Sequence, residues 1–322
     1  MPKVSVIIPS NNHEKYVSAC IQSVLNQTFE DFEIIITDDG STDNTVKKIK
    51  EFKDPRIHLF VFEKNQGASV AVNHCIENSH GEYIAMMNSD DIFLEDKIEK
   101  QVNFLKSNQN IGAVLSYFYP IDENGNEYLG TDVFDYSYFD RENQSRYEWL
   151  RFFFSGENAF CHPTALIRRD CYTEVGLYDE RFAQVPDWDF WVRLCMKYEV
   201  YILPERLLRY RIRNNNENIS ADKPEKNVRV VWETSQMLKH YLKIECVQEF
   251  SKIFPNFKIS DKWDDELIPF YLSQIALSSR TTIAHTFFSM DVLYNLLGDK
   301  RLFLKLNEKE RFGYADLIRL SG

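Results

Sequence analysis

The chain of 322 residues is 44% hydrophobic and 27% charged, with a net charge of −11; this is a soluble globular composition, long enough for one large domain with an appendage or for two ordinary domains. The charge is uneven: residues 1–222 hold 23 Lys and Arg against 36 Asp and Glu, residues 223–322 hold 15 against 13, and an acidic body without a basic face excludes a nucleic-acid binder. No run approaches the ~18 uninterrupted apolar residues of a membrane span, and the strand-like pattern starts at Val4, so no secretory leader is expected in this sequence.

Val4-Ser5-Val6-Ile7-Ile8 is a near-continuous β-branched run closed by Pro9-Ser10-Asn11-Asn12, as expected of a strand buried on both faces. Val17, Cys20, Ile21, Val24 and Leu25 recur at helical spacing, so a helix occupies residues 14–26. Glu33-Ile34-Ile35-Ile36-Thr37 is a second buried strand, and in the turn Asp38-Asp39-Gly40-Ser41 the serine is placed to cap the next helix. A third strand at Ile57–Phe62, a helix over 67–78, a fourth strand over 82–87 and a helix over 94–106 continue the alternation. That rhythm predicts a mostly parallel sheet with right-handed crossovers.

After residue 112 the rhythm changes. Ala113–Tyr119 reads as a strand, and Asp122-Glu123-Asn124-Gly125-Asn126 carries hairpin-turn chemistry. Residues 128–160 are aromatic-rich and irregular, with Phe134 and Phe152-Phe153-Phe154 among them. Such rings either fill a core or stack on the apolar faces of sugars, and core is the commoner role. A strand at Thr164–Arg168, a helix from Asp187 to Lys197 and a last strand at Leu207–Arg213 follow, ended by the polar run Asn214–Asn218.

From residue 224 the pattern is wholly helical. Val231, Leu238 and Leu242 share a stripe, Pro269 suits the first turn of a second helix, and a third helix over 283–297 stops at Gly298. The expected division is an α/β body over 1–222 and a helical bundle over 223–322, whose apolar faces suit acceptor binding, homodimerisation or contact with a membrane surface. Cys20, Cys75, Cys161, Cys171, Cys195 and Cys246 form no CxxC pair and read as reduced thiols. The expected compartment is the cytoplasm, including the inner face of the membrane.

Three acidic constellations carry chemistry. Asp39 lies at a strand terminus, where ligands of open α/β sheets bind, and its carboxylate can accept from a uracil N–H or a ribose hydroxyl. The same residues also make an Asx-turn that closes the strand. No GxGxxG or GxxxxGK[ST] follows the first strand, so dinucleotide and P-loop readings lack their mechanism. Asn88-Ser89-Asp90-Asp91 follows the buried run Glu82–Met87. Mg2+ or Mn2+ is commonly held by one or two carboxylates with substrate phosphate oxygens, although a solvated loop capping the next helix has the same composition. In Pro186-Asp187-Trp188-Asp189-Phe190-Trp191 the two carboxylates at i and i+2 point apart. One is expected to face the site and the other solvent or a capping amide. A carboxylate beside two indoles can have its pKa raised toward general-base work, and an N-cap is the plainer alternative. His162 reads as a structural imidazole.

Taken together, these motifs resemble the family-2 glycosyltransferases of the GT-A fold. The resemblance covers about residues 3–220. It runs through Val4–Pro9, Ser23–Thr28, Asp38–Asp43, Asn65-Gln66-Gly67, Gly81–Ile84, Asn88–Asp91, Val175–Asp179, Asp187–Trp191 and Tyr210–Arg213. It implies a Rossmann-like mixed sheet and an inverting, Mn2+- or Mg2+-dependent transfer of a hexosyl or N-acetylhexosaminyl group. The donor would be a nucleotide-diphosphate sugar, usually a uridine one, and the acceptor a hydroxyl of a saccharide, a lipid-linked glycan or a protein. By family position Asp39 would contact the uracil with Pro9 and Asn11 lining its pocket, Asp90 the ribose, Asp91 the metal, and Asp187 would be the base. Arg211 and Arg213 are read as diphosphate contacts. Asn88 stands where many members have Asp, Pro186 where an acidic residue is common and Arg213 where many have His. The processive Gln-x-x-Arg-Trp signature is absent, which points to one sugar added per encounter. Two other readings stand beside this one. A catalytically silent nucleotide-sugar-binding scaffold would not need both Asp91 and Asp187. A GT-A nucleotidyltransferase would carry a glycine-rich basic loop that Pro9–His13 lacks.

Overall fold

The computed structural model describes residues 1–128, 135–213, 227–257, 263–279 and 282–321. Phe134 and the polar run Asn214–Asn218 lie outside them. The chain divides into two compact units, one of Met1–Arg146 with Ala159–Asp222 and the other of Tyr147–Asn158 with Lys223–Gly322.

The first unit opens with β1 (Val4–Ser10), α1 (Val17–Leu25), β2 (Phe32–Asp38), the short α2 (Thr45–Ile49), β3 (Ile57–Val61), α3 (Ala68–Glu77) and β4 (Tyr83–Met86). These four strands pair in parallel. Then come β5 (Ile92–Phe93), α4 (Lys97–Ser107) and β6 (Ile111–Ile121). Most of α5 (Arg146–Phe154) belongs to the second unit, and β7 (Leu166–Arg168), α6 (Arg169–Val175), α7 (Pro186–Cys195) and β8 (Glu199–Arg211) complete the first. The eight strands run β3-β2-β1-β4-β7-β6-β8-β5. β7 is antiparallel to both β4 and β6, β5 is antiparallel to β8, and β6 and β8 run in parallel. The sheet is therefore mixed and mostly parallel, as its sequence rhythm predicts.

Both faces are covered, which is why β1 and β2 read as unbroken apolar runs. Val4, Val6, Ile8, Ile34 and Ile36 join Val17, Cys20, Ile21 and Val24 of α1 and Ile98, Val102 and Leu105 of α4 in one buried cluster. On the other face Thr37 Oγ1 meets Cys75 Sγ at 3.1 Å and His74 Nδ1 at 3.0 Å, both from α3.

Local differences have simple causes. Ser41 does not cap α2: its Oγ donates to Asp38 Oδ2 at 2.6 Å, while Asp43 Oδ1 accepts from the Thr45 amide at 2.9 Å. The last strand starts at Glu199 rather than Leu207 and carries register shifts opposite Ser116–Phe118.

The second unit is helical. It joins α5 to α8 (Asn227–Leu238), α9 (Val247–Ile253), α10 (Ile268–Ser279), α11 (Ile283–Gly298), α12 (Lys300–Glu310) and α13 (Tyr314–Ser321). A boundary at residue 222 alone misplaces α5. Phe154 of α5 packs edge-on against Tyr241, Phe254 and Phe288, at centroid distances of 4.8, 5.0 and 6.2 Å. Gly298 is not a left-handed stop. α11 ends there because Asp299 turns extended and accepts from the amides of Arg301 and Leu302 at the head of α12. Among the described residues no helix is long and apolar enough to cross a membrane.

Candidate active site

The acidic residues gather beyond the carboxyl ends of β1, β2 and β4. Asp39 follows β2 directly. Its amide donates to Ser10 O at 2.7 Å, and its carboxylate accepts from the amides of Gln66 at 2.6 Å and Gly67 at 3.0 Å. Gly40 makes this approach feasible: its φ is +68°, and a Cβ there would lie 2.5 Å from the carbonyl carbon of Lys64. Asn11 Nδ2 donates to Asp39 O at 2.6 Å, and Pro9 sits opposite Thr37 in the β1–β2 register. Asn11 is thus bonded to the Asp39 main chain, and Pro9 lies on the neighbouring strand two residues before Asn11. With both Asp39 oxygens already accepting, each has one further lone pair for a ligand.

The second cluster is the tip after β4. Asp90 and Asp91 are 6% and 1% exposed. Asp91 Oδ1 accepts from the Arg211 amide at 2.8 Å, and Oδ2 accepts from Asn88 Nδ2 at 3.0 Å. Asn88 therefore orients the carboxylate that follows it. Burial, and next the charge of Asp90, push the Asp91 carboxyl well above the usual carboxylate range. Asp90 has one cation and one imidazole beside it: Arg213 Nε lies 3.4 Å and His13 Nε2 3.9 Å from its Oδ2.

Arg211 behaves differently from the expected diphosphate contact. It is 3% exposed, and its guanidinium donates to Asp90 O at 2.7 Å, Asp122 O at 2.8 Å and Glu123 O at 2.9 Å. Main-chain carbonyls, not an open cleft, take these donors.

His13 escaped the sequence reading. Its Nδ1 lies 2.7 Å from Ser89 Oγ and its amide donates to Thr45 Oγ1 at 2.8 Å, so it joins the loop after β1 to the acidic tip. Burial is the main cause of its lowered pKa, which the charge of Asp90 opposes. A polar residue four positions beyond a strand-ending proline was the only signal.

α7 brings the third cluster. Pro186 occupies its first turn and Asp187 is half-buried there. Asp189 is 1% exposed and pairs with Arg193 Nε at 2.9 Å, so it faces the interior and not solvent. The loop leading to α7 is fixed on α3, whose preceding Gly67 amide donates to Asp39: Ser69 Oγ donates to Phe182 O at 3.0 Å, and Asn73 exchanges hydrogen bonds with the Tyr178 main chain at 2.8 and 3.0 Å. His162 is neutral and structural, held near pKa 4 by burial, with Nε2 2.7 Å from Tyr178 Oη.

Among the described residues no three His, Cys, Asp or Glu side chains form a metal cage. The tip nevertheless fits a hard cation. Adjacent buried carboxylates repel one another, and a divalent ion held jointly by Asp91 and two phosphate oxygens would relieve that repulsion.

The Glycosyl transferase family 2 profile matches residues 5–175. An uncharacterized glycosyltransferase of Methanocaldococcus jannaschii is 34% identical over 230 residues, covering 70% of this chain and 76% of that protein. The UDP-Glc:alpha-D-GlcNAc-diphosphoundecaprenol beta-1,3-glucosyltransferase of Escherichia coli is 40% identical over 121 residues, which are 38% of this chain and 47% of that protein. In fold, the chain is similar to residues 1–349 of S. aureus TarS, solved in complex with UDP-GlcNAc. The TM-score is 0.63 at 17% identity, covering 96% of this chain and 91% of that one.

Proposed function

The chain belongs to glycosyl transferase family 2, and on that footing we propose that it moves a hexosyl or N-acetylhexosaminyl group from a uridine-diphosphate sugar to an acceptor hydroxyl, with inversion and with the help of Mn2+ or Mg2+. The observation that carries this reading is the placement of Asp39 and of the buried Asp90–Asp91 tip just beyond the carboxyl ends of neighbouring parallel strands. The uridine donors named for the E. coli relative and for the TarS complex support the choice of nucleotide.

Asp39, Asn11 and Pro9 hold the base, and Asp90 takes the ribose. Arg213, 3.4 Å from Asp90, is the cation we assign to the diphosphate. A cation bound at Asp91 would neutralise charge growing on the leaving diphosphate. Asp187 accepts the acceptor's hydroxyl proton as that oxygen bonds to the anomeric carbon and the bond from that carbon to the diphosphate breaks. Holding donor and acceptor together supplies the proximity share of the rate. The first acceptor to try is a saccharide on a polyprenyl diphosphate, the kind named for the E. coli relative.

A donor panel assayed for release of the nucleoside diphosphate, with Mn2+ or with EDTA, tests this. A uridine donor is expected to turn over only with the cation. Asp187→Asn should lower kcat by about 10²–10⁴-fold with nucleotide binding retained, and Asp91→Asn should abolish the response to Mn2+. Metal-dependent binding of UDP-sugars without any turnover, hydrolytic or to acceptor, would favour a silent binding protein. Turnover unchanged by either substitution would remove the site assignment.

A further inference from the structure

We propose that Arg211 is a positioning residue that sets the cation affinity of the site by gripping the peptide that carries Asp91. The inference rests on the reading of Asp91 as a cation ligand and adds a residue that acts through it.

Arg211 holds the motif at two points. Its amide donates to Asp91 Oδ1 at 2.8 Å, and its Nε donates at 2.7 Å to Asp90 O, the carbonyl of the peptide joining Asp90 to Asp91. One contact fixes the carboxylate and the other fixes the main chain beneath it. Nη1 donates to Asp122 O and Glu123 O at 2.8 and 2.9 Å, which ties the tip to the turn after β6. That turn is itself rigid, since Asp122 Oδ1 accepts from the amides of Asn124 and Asn126. The guanidinium carbon stands 4.8 Å over the Tyr16 ring, at the head of α1. Four segments therefore meet on one side chain.

Only arginine offers a planar fork of donors that can serve carbonyls on separate segments at once. Burying a cation among carbonyls is costly, so the arrangement calls for a use that a plain β-strand end does not have. Fixing a carboxylate beneath a cation is such a use, because partners that orient a metal ligand typically alter affinity by 10- to 100-fold.

The test is Mn2+ binding to the full chain, followed by the Mn2+ electron paramagnetic resonance signal in the presence of saturating UDP, together with UDP binding measured by calorimetry in EDTA. Arg211→Met is expected to weaken Mn2+ binding at least about tenfold while metal-free UDP affinity stays within about twofold. Arg211→Lys should fall between wild type and Arg211→Met, because an ammonium keeps the charge but cannot span both carbonyl sets. Should Arg211→Met fail to fold, Arg211→Lys and Arg211→Gln carry the comparison. Unchanged Mn2+ affinity with only a lowered melting temperature would make Arg211 a fold brace and overturn the proposal, as would equal losses of metal-free and metal-bound affinity. If wild type itself shows no Mn2+-dependent binding of UDP, the cation reading of Asp91 fails and this inference falls with it.

Discussion

Lys97 has no exposed surface, and its Nζ donates to Gln101 Oε1 at 2.7 Å while standing 4.2 Å above the Phe93 ring. Desolvation pulls its pKa from 10.5 down to about 7, so between those values the unfolded chain binds a proton that the folded chain releases. Stability therefore rises with pH across that window, and the full cost of a buried ammonium stands below about pH 7. Subtracting the pH profile of Lys97→Met from that of wild type, by urea unfolding at pH 6.5–9.5, should leave a positive slope approaching at most about 1.4 kcal/mol per pH unit. A flat difference would mean that the ammonium is solvated. The sequence does not announce this burial, since lysine is almost never fully buried without a partner. Gln101, four residues on, is the hidden half. Its Nε2 donates to Val114 O and Thr164 O, contacts that depend on β6 and the turn before β7 rather than on any local pattern.

Along α7 the two carboxylates differ in surroundings, Asp187 half-buried and Asp189 buried, and their spacing foretold that they would point apart. It did not foretell which one turned inward or onto what. Asp189 is held by Arg193, whose Nη1 also donates to Val175 O and Gly176 O and whose Nη2 donates to Leu177 O. That pair anchors the helix to the loop after α6. Removing one partner leaves a buried charge, so Asp189→Ala is expected to cost about 3–5 kcal/mol in urea unfolding, whereas the half-buried Asp187→Ala should cost about 1 kcal/mol or less. Equal losses would deny that Asp189 alone carries the structural weight. The same contrast marks what was legible elsewhere. Strands covered on both faces, such as Val4–Ile8 and Glu33–Thr37, were readable because their side chains alone report burial. β5, two residues long, and the early part of β8, with its exposed Glu205, were not, because pairing with distant strands makes them strands. At the candidate site, the positions of Asp39, Asp90 and Asp91 at strand ends were legible because buried apolar runs stop just before them. His13 and the inward turn of Arg211 were missed because each acts through partners more than 70 residues away in sequence.

For the molecule as a whole, the division into units is also a division of hydrophobic cover. Trp149, Leu150, Phe153 and Phe154 of α5 are each 2% exposed or less. Their helical unit supplies Tyr241, whose Oη donates to Leu150 O at 2.6 Å, and His285, whose Nε2 lies 2.7 Å from Phe154 O. A fragment ending at residue 222 keeps α5 and loses both partners. Each large side chain so uncovered forfeits roughly 1.5–3 kcal/mol of burial, enough across the helix to rival the stability of an ordinary domain. The fragment 1–222 is therefore expected to bind the dye ANS strongly and to elute from gel filtration as aggregate, while the full chain remains dye-silent. Replacing Phe153 and Phe154 by Gln in the fragment should lower the dye signal, and the same change in the full chain should destabilise it. A soluble, dye-silent fragment with a cooperative melt would show that α5 finds its cover without residues 223–322. The recognisable glycosyltransferase motifs would then fold as a free-standing enzyme body, and the helices would be an addition to it rather than a part of its core.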